Sequence, residues 1–169
     1  SPHRCHQDLP GLRTQAQSLL DRGIRRVFLF GMGGSSLFAG ILASISAGRG
    51  GSFPSFHVVD SLFPDTFLSI RDALADEGSL ILVASKSGST LETKTLASLA
   101  EEMGAESRMV ALTDPGSELE ARAEQRGYAE VIHGYADVGG RFSAISPFGL
   151  FPALLMGFSA EEIIETGAE

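Results

Sequence analysis

Six consecutive residues, Ser85-Lys86-Ser87-Gly88-Ser89-Thr90, bring four hydroxyls, one ammonium group and one glycine together. Such a set suits a phosphate. Phosphate oxygens take short O–H and N–H donors from several sides, and glycine lets the backbone come close. A helix starting at Thr90 would aim its unpaired N–H groups and positive end at the anion, and Lys86 would add a full charge. The plainer reading makes Thr90 an N-cap and the serines loop solvation. A cap needs one hydroxyl, however, and this loop carries four.

Two more loops are rich in glycine. Gly31-Met32-Gly33-Gly34-Ser35-Ser36 follows an apolar run, with glycine for close backbone approach and Ser35 as a hydroxyl donor. A dinucleotide fingerprint would need glycine where Ser36 stands and an acidic residue about twenty positions on; Asp60 comes too late. No Gly-Lys-Ser or Gly-Lys-Thr occurs, so ATP hydrolysis is not indicated. In Gly139-Gly140-Arg141-Phe142-Ser143-Ala144-Ile145-Ser146, two glycines let a ligand approach while the guanidinium of Arg141 reaches over it and stabilises oxyanion character. The alternatives are a ligand-free tight turn for the first loop and a surface ion pair for Arg141. His3, Cys5 and His6 form no recognised metal spacing, and no cofactor or metal is expected.

These loops need a scaffold, and the apolar pattern supplies one. Short runs at 26–30, 56–60, 80–84, 108–112 and 129–132 read as strands. Helical stretches at 37–46, 64–75, 90–103 and 118–126 lie between them, with an opening helix from about 12 to 22 and a buried helix within 148–158. Pro64 fits a first helical turn, and Gly104 and Gly127 fit C-terminal caps. Ser117 with Glu120 and Ser159 with Glu162 form capping boxes. His57 and His133, in or beside strands, are expected to be packed there. Gly48 to Ser55 reads as an ordinary loop, not a boundary. The result is an α/β fold, doubly wound, with a mostly parallel five-stranded sheet and helices on both faces. Ligands of such sheets bind beyond the carboxyl ends of the strands where strand order reverses. Both the Gly31 and the Ser85 loops leave that end.

A chain of 169 residues with 43% hydrophobic content and a formal net charge of -8 is a folded globule without a general nucleic-acid or anionic-membrane surface. A single cysteine permits no intrachain disulfide, which fits a reducing cytoplasm, and no apolar stretch reaches membrane-span length. Any phosphate site must be local, built from a few cations.

Together and in this order, Gly31 to Ser35, Ser85 to Thr93 and Gly139 to Ser143 resemble the first sugar-isomerase (SIS) domain of glucose-6-phosphate isomerases, nearest the bacterial forms, including those fused to transaldolase. The similarity runs from about Val27 to Phe158. It implies a flavodoxin-like SIS layer over 24–158, preceded by an N-terminal segment and helix (1–23) and followed by the start of a helix (159–169) leading to a second SIS domain. It implies interconversion of glucose 6-phosphate and fructose 6-phosphate through a cis-enediolate. Ser85, Ser87 and Thr90 would hold the phosphate, Lys86 and Thr93 would line the same pocket, Gly34 and Ser35 would contact the sugar side, and Arg141 would stabilise the enediolate. The family's catalytic glutamate belongs to the second domain, so this chain alone is expected to be inactive, and a homodimer is expected. Here Asp60-Ser61-Leu62-Phe63-Pro64 replaces a more polar run usual in the family, and Ser89 a usual threonine. Two other readings stay open: a non-catalytic module that senses a phosphosugar, and a stand-alone isomerase of another phosphosugar.

Overall fold

The computed structural model describes residues 2–47 and 52–167, without the side chains of Pro2 and Arg141. Gly48 to Gly51 of the expected loop and the last two residues lie outside it.

In strand β1 (Arg26–Gly31), Val27 and Leu29 enter one apolar cluster and Phe28 and Phe30 another. Strand β3 (Ser79–Ala84) divides likewise into Leu80, Leu82 and Ala84 against Ile81 and Val83, and β4 (Met109–Thr113) into Val110 and Leu112 against Met109 and Ala111. A strand buried on both faces needs apolar residues at every position, which is why these runs do not alternate with polar residues. The edge strands β2 (Ser55–Val59) and β5 (Glu130–His133) are mixed. The order is β2-β1-β3-β4-β5 and every pairing is parallel, so strand order reverses between β1 and β3. The cluster under Val27 and Leu29 is completed by α1 (Pro2–Leu20), α2 (Leu37–Ser46), α6 (Pro147–Leu155) and α7 (Ala160–Thr166). The opposite cluster is completed by α3 (Pro64–Ala75), α4 (Leu91–Glu102) and α5 (Glu118–Arg126). The expected doubly wound architecture is the observed one. Among the described residues no helix is long and apolar enough to cross a membrane.

Three local expectations are corrected. The opening helix starts at Pro2, not Leu12, and ends at Leu20. Cys5, Leu9, Leu12, Ala16 and Leu19 recur at helical spacing and form one buried stripe. Cys5 is therefore a core residue, 1% exposed, with its Sγ donating to the Ile145 carbonyl at 2.8 Å. Arg108 precedes β4 instead of starting it. It closes the 3-10 turn Glu106–Arg108, where one guanidinium nitrogen donates to the carbonyls of Leu74, Asp76 and Ser79. Those acceptors let a charged group stay buried. His57 and His133 sit on the edge strands and are exposed, His57 stacked on Phe28 and His133 paired with Glu120 at 2.6 Å.

α4 carries the phosphate-type loop at its start and is locked to α5 and its neighbours by one carboxylate. Glu101, its side chain 3% exposed, accepts two bonds from Arg122 at 2.7 and 2.8 Å and one from the Tyr128 hydroxyl at 2.6 Å, with Arg126 beside it. Burial pushes the Glu101 pKa up, but the bonds from Arg122 and Tyr128 and the charges of Arg122 and Arg126 outweigh it, and the net shift is downward. A carboxylate with a lowered folded pKa stabilises the fold above its unfolded value of about 4.3, and that stability is lost as pH falls through the folded value. Glu101→Gln should cost about 2 kcal/mol near neutrality, a buried pair discounted for the partial exposure of Arg122, or about 6 °C in Tm. Thermal melts at pH 6 and pH 3 should show the gap between parent and variant narrowing in acid; an unchanged gap would refute the assignment.

Candidate functional site

The loops after β1 and β3 emerge side by side at the sheet's carboxyl end, because Gly31 and Ala84 are register partners in adjacent strands. The Ser85 to Thr90 loop folds around its own hydroxyls. Ser85 Oγ lies 3.3 Å from Thr90 Oγ1 and accepts the Gly88 amide at 3.1 Å, while Ser87 Oγ lies 2.6 Å from Ser89 Oγ. Gly88 has φ +71, a left-handed turn conformation that glycine adopts without strain.

The sequence left open whether Thr90 merely caps a helix, and the structure separates the two roles. Ser117, Ser146 and Ser159, at the N-caps of α5, α6 and α7, each accept a bond from an amide of their own helix. Thr90 stands at the same position of α4 and makes no such bond; its hydroxyl turns to Ser85 instead. Ser36, at the N-cap of α2, also makes none and donates to the Gly33 carbonyl at 3.3 Å. The two helices that begin at the site thus have capping residue types whose hydroxyls leave the first amides free for another acceptor. An anion is the acceptor that such a pair of helix starts suits.

The third loop forms the 3-10 helix Gly140–Ile145 and packs on the 3-10 turn Gly33–Ser35. Ser143 Oγ donates to the Gly34 carbonyl at 2.6 Å. Backbone approach at Gly34 is so close that an added Cβ would lie 2.5 Å from the Gly140 carbonyl oxygen. An open groove of about 680 Å³ runs past Gly33, Gly34, Leu37, Asp60 and Gly140. Ser35 is half-buried in that turn. Arg141 lies one residue beyond Gly140 in the 3-10 helix, and its side chain lies outside the described residues.

The resemblance puts Lys86 and Thr93 along the phosphate pocket, and both side chains are drawn inward from the loop surface. Lys86 Nζ is held by both Asp114 oxygens, at 3.0 and 2.7 Å, and by the Tyr135 carbonyl at 2.9 Å. Thr93 is 2% exposed, and its Oγ1 has no hydrogen-bond partner among the described residues. It borders a cavity of about 250 Å³ shared with Ser85, Gly88, Leu119 and Arg122. Ser85, Ser87, Ser89 and Thr90 remain as the grouped hydroxyls. Asp114 lies outside the three sequence motifs, and Ser143 closes the third. The Asp114-Pro115-Gly116-Ser117 turn at the end of a strand was the available signal for Asp114. Among the described residues, no three His, Cys, Asp or Glu side chains converge to hold a metal.

A profile described as phosphoglucose isomerase matches residues 16–169. The chain belongs to the phosphoglucose isomerase family. A glucose-6-phosphate isomerase from Rubrobacter xylanophilus is 32% identical over 98% of this chain and 41% of its own length. One from Synechococcus sp. (strain JA-2-3B'a(2-13)) is 35% identical over 82% of this chain and 27% of its own. Among solved structures, a hypothetical protein from Thermus thermophilus superposes with a TM-score of 0.83 at 28% identity, over 95% of this chain and 40% of that one. A glucose-6-phosphate isomerase from Chlamydia trachomatis gives 0.69 at 27% identity, over 98% and 31%. The chain therefore spans well under half the length of these phosphoglucose isomerase relatives. A phosphosugar isomerase structure from Silicibacter pomeroyi, described as putative, shares the fold at 20% identity with a TM-score of 0.59.

Proposed function

We propose that this chain is the phosphate-holding SIS domain of an isomerase that interconverts glucose 6-phosphate and fructose 6-phosphate. The observation that carries the reading is the pair of uncapped helix starts, at Ser36 and Thr90, flanking the point where strand order reverses. The substrate's phosphate sits on the hydroxyls of Ser85, Ser87 and Thr90 and on the first amides of α4, which supply fixed donors without bulk. The sugar lies toward Gly34 and Ser35, in the groove that also passes Gly140.

Isomerisation moves a proton between adjacent carbons and passes through a cis-enediolate, whose negative oxygens Arg141 stabilises from the Gly139-Gly140 turn. A base must stand beside those carbons. We place it outside these 169 residues, in a second SIS domain, in keeping with relatives of which this chain spans 41% or less. Of the carboxylates around the cradle and groove, Asp114 is engaged by Lys86, Glu118 by Lys94 and Glu120 by Gly116 and His133, while Asp60 lines the groove. Glu92 is exposed in the first turn of α4. Leu37, Ile41 and Ile45 form an exposed apolar stripe on α2 beside the groove, a surface suited to a covering domain or to the second subunit of a homodimer.

The test is a coupled isomerase assay. The 169-residue chain should bind sugar phosphate weakly and turn over little or nothing, and full activity from it would sink the proposal. In the full-length protein, Ser85→Ala should raise KM for glucose 6-phosphate about tenfold, as for one lost hydrogen bond to a charged group.

A further inference from the structure

The Lys86 ammonium donates to Asp114 Oδ1 and to the Tyr135 carbonyl, and Asp114 Oδ2 completes the ion pair at 2.7 Å. Two oxygens of Asp114 and the carbonyl of Tyr135 surround it, and the Phe148 ring lies 5.6 Å away. Both partners are largely withdrawn from water, with 27% of the lysine side chain and 15% of the aspartate side chain exposed. The grip is reciprocal. The Asp114 amide donates to the Lys86 carbonyl at 3.1 Å, so lysine and aspartate are joined through both backbone and side chain. Thr113, the preceding residue, donates from Oγ1 to the Ser85 carbonyl at 2.7 Å and also reaches the Lys86 carbonyl. Tyr135 is fixed in turn, 3% exposed, with its hydroxyl donating to Asp8 at 2.8 Å and Arg4 over its ring at 4.0 Å. One ammonium group thereby ties together the chain segments leaving β3, β4 and β5.

We infer that Asp114 is a positioning residue for the phosphate loop, acting through Lys86. Lys86 serves as the cross-link that holds the Ser85 to Ser87 backbone at a fixed place over the strand ends. This rests on the functional reading above, since it assigns a role within that cradle. A loop fixed before the ligand arrives need not lose freedom on binding, so the hydroxyls and amides meet the phosphate at lower cost. Removing either partner leaves the other charge poorly compensated in a half-buried place, whereas removing both does not.

That asymmetry supplies the test, made on the full-length protein with inorganic phosphate as a competitive inhibitor. Asp114→Asn and Lys86→Met should each weaken phosphate inhibition about tenfold. KM for glucose 6-phosphate should rise in step, with kcat within about twofold of the parent, the signature of lost ground-state anchoring. Inhibition by an unphosphorylated polyol should stay at the parent value. The double variant should be no worse than the weaker single variant. Phosphate inhibition that is unchanged or tighter in Asp114→Asn overturns the inference, because Lys86 would then be a cation held back from the cradle. Additive losses in the double variant overturn it as well. If the parent itself shows no inhibition by phosphate, the functional reading fails instead. Should Asp114→Asn not fold, the double variant, which strands no lone charge, carries the same comparison against Lys86→Met.

Discussion

A Gly88→Ala variant should unfold with about 3 kcal/mol less stability than the parent and lose most of its affinity for sugar phosphate. Two costs add. Alanine at φ +71 pays about 1 kcal/mol or more for a left-handed backbone. Its Cβ would also collide with the Leu119 amide nitrogen and lie 2.8 Å from the Cβ of buried Leu119, in the first turn of α5. Backbone cannot rotate out of the way as a side chain tip can, so either the loop or α5 must shift, at about 1–3 kcal/mol for overpacking. The Gly88 amide is also the donor to Ser85 Oγ, and a shifted loop breaks up the pairing of Ser85 with Thr90. Urea denaturation and phosphate inhibition would check both halves. An alanine variant that phosphate inhibits as strongly as the parent would show that this loop does not hold the anion.

Gly34→Ala should act on turnover more than on anchoring. Its Cβ would come 2.5 Å from the Gly140 carbonyl oxygen, and relieving that contact moves the 3-10 helix Gly140–Ile145 outward by about 1 Å. A displacement of that size at a catalytic group costs about 10²-fold. In the full-length protein kcat should therefore fall by about that factor while phosphate inhibition stays near the parent value, because the Ser85 loop is held by its own hydroxyls. Equal kcat in parent and variant would remove Arg141 from the proposed chemistry.

These two glycines show how far a sequence can be read. Both loops are visible as glycine and hydroxyl runs after strands, and their strands are visible as runs apolar at every position. The helices 37–46, 64–75 and 118–126 have the expected bounds, the last closed by Gly127 in the left-handed conformation. The start of α1 is legible only once Cys5 and Leu9 are known to face a core, because Pro10 interrupts the local pattern.

By itself the sequence determined the doubly wound layer, the two loops at one end of the sheet and the hydroxyl-rich character of the second loop. These follow from periodicity and turn chemistry, which act over a few residues and need no knowledge of strand order. Only the tertiary structure decided that Thr90 does not cap its own helix, that Thr93 is buried behind the loop, and that Lys86 is spent on Asp114 and Tyr135. Those last partners lie 28 and 49 positions away along the chain. A side chain's charge is written in the sequence, but the group that neutralises it is chosen by which strand ends the sheet brings together.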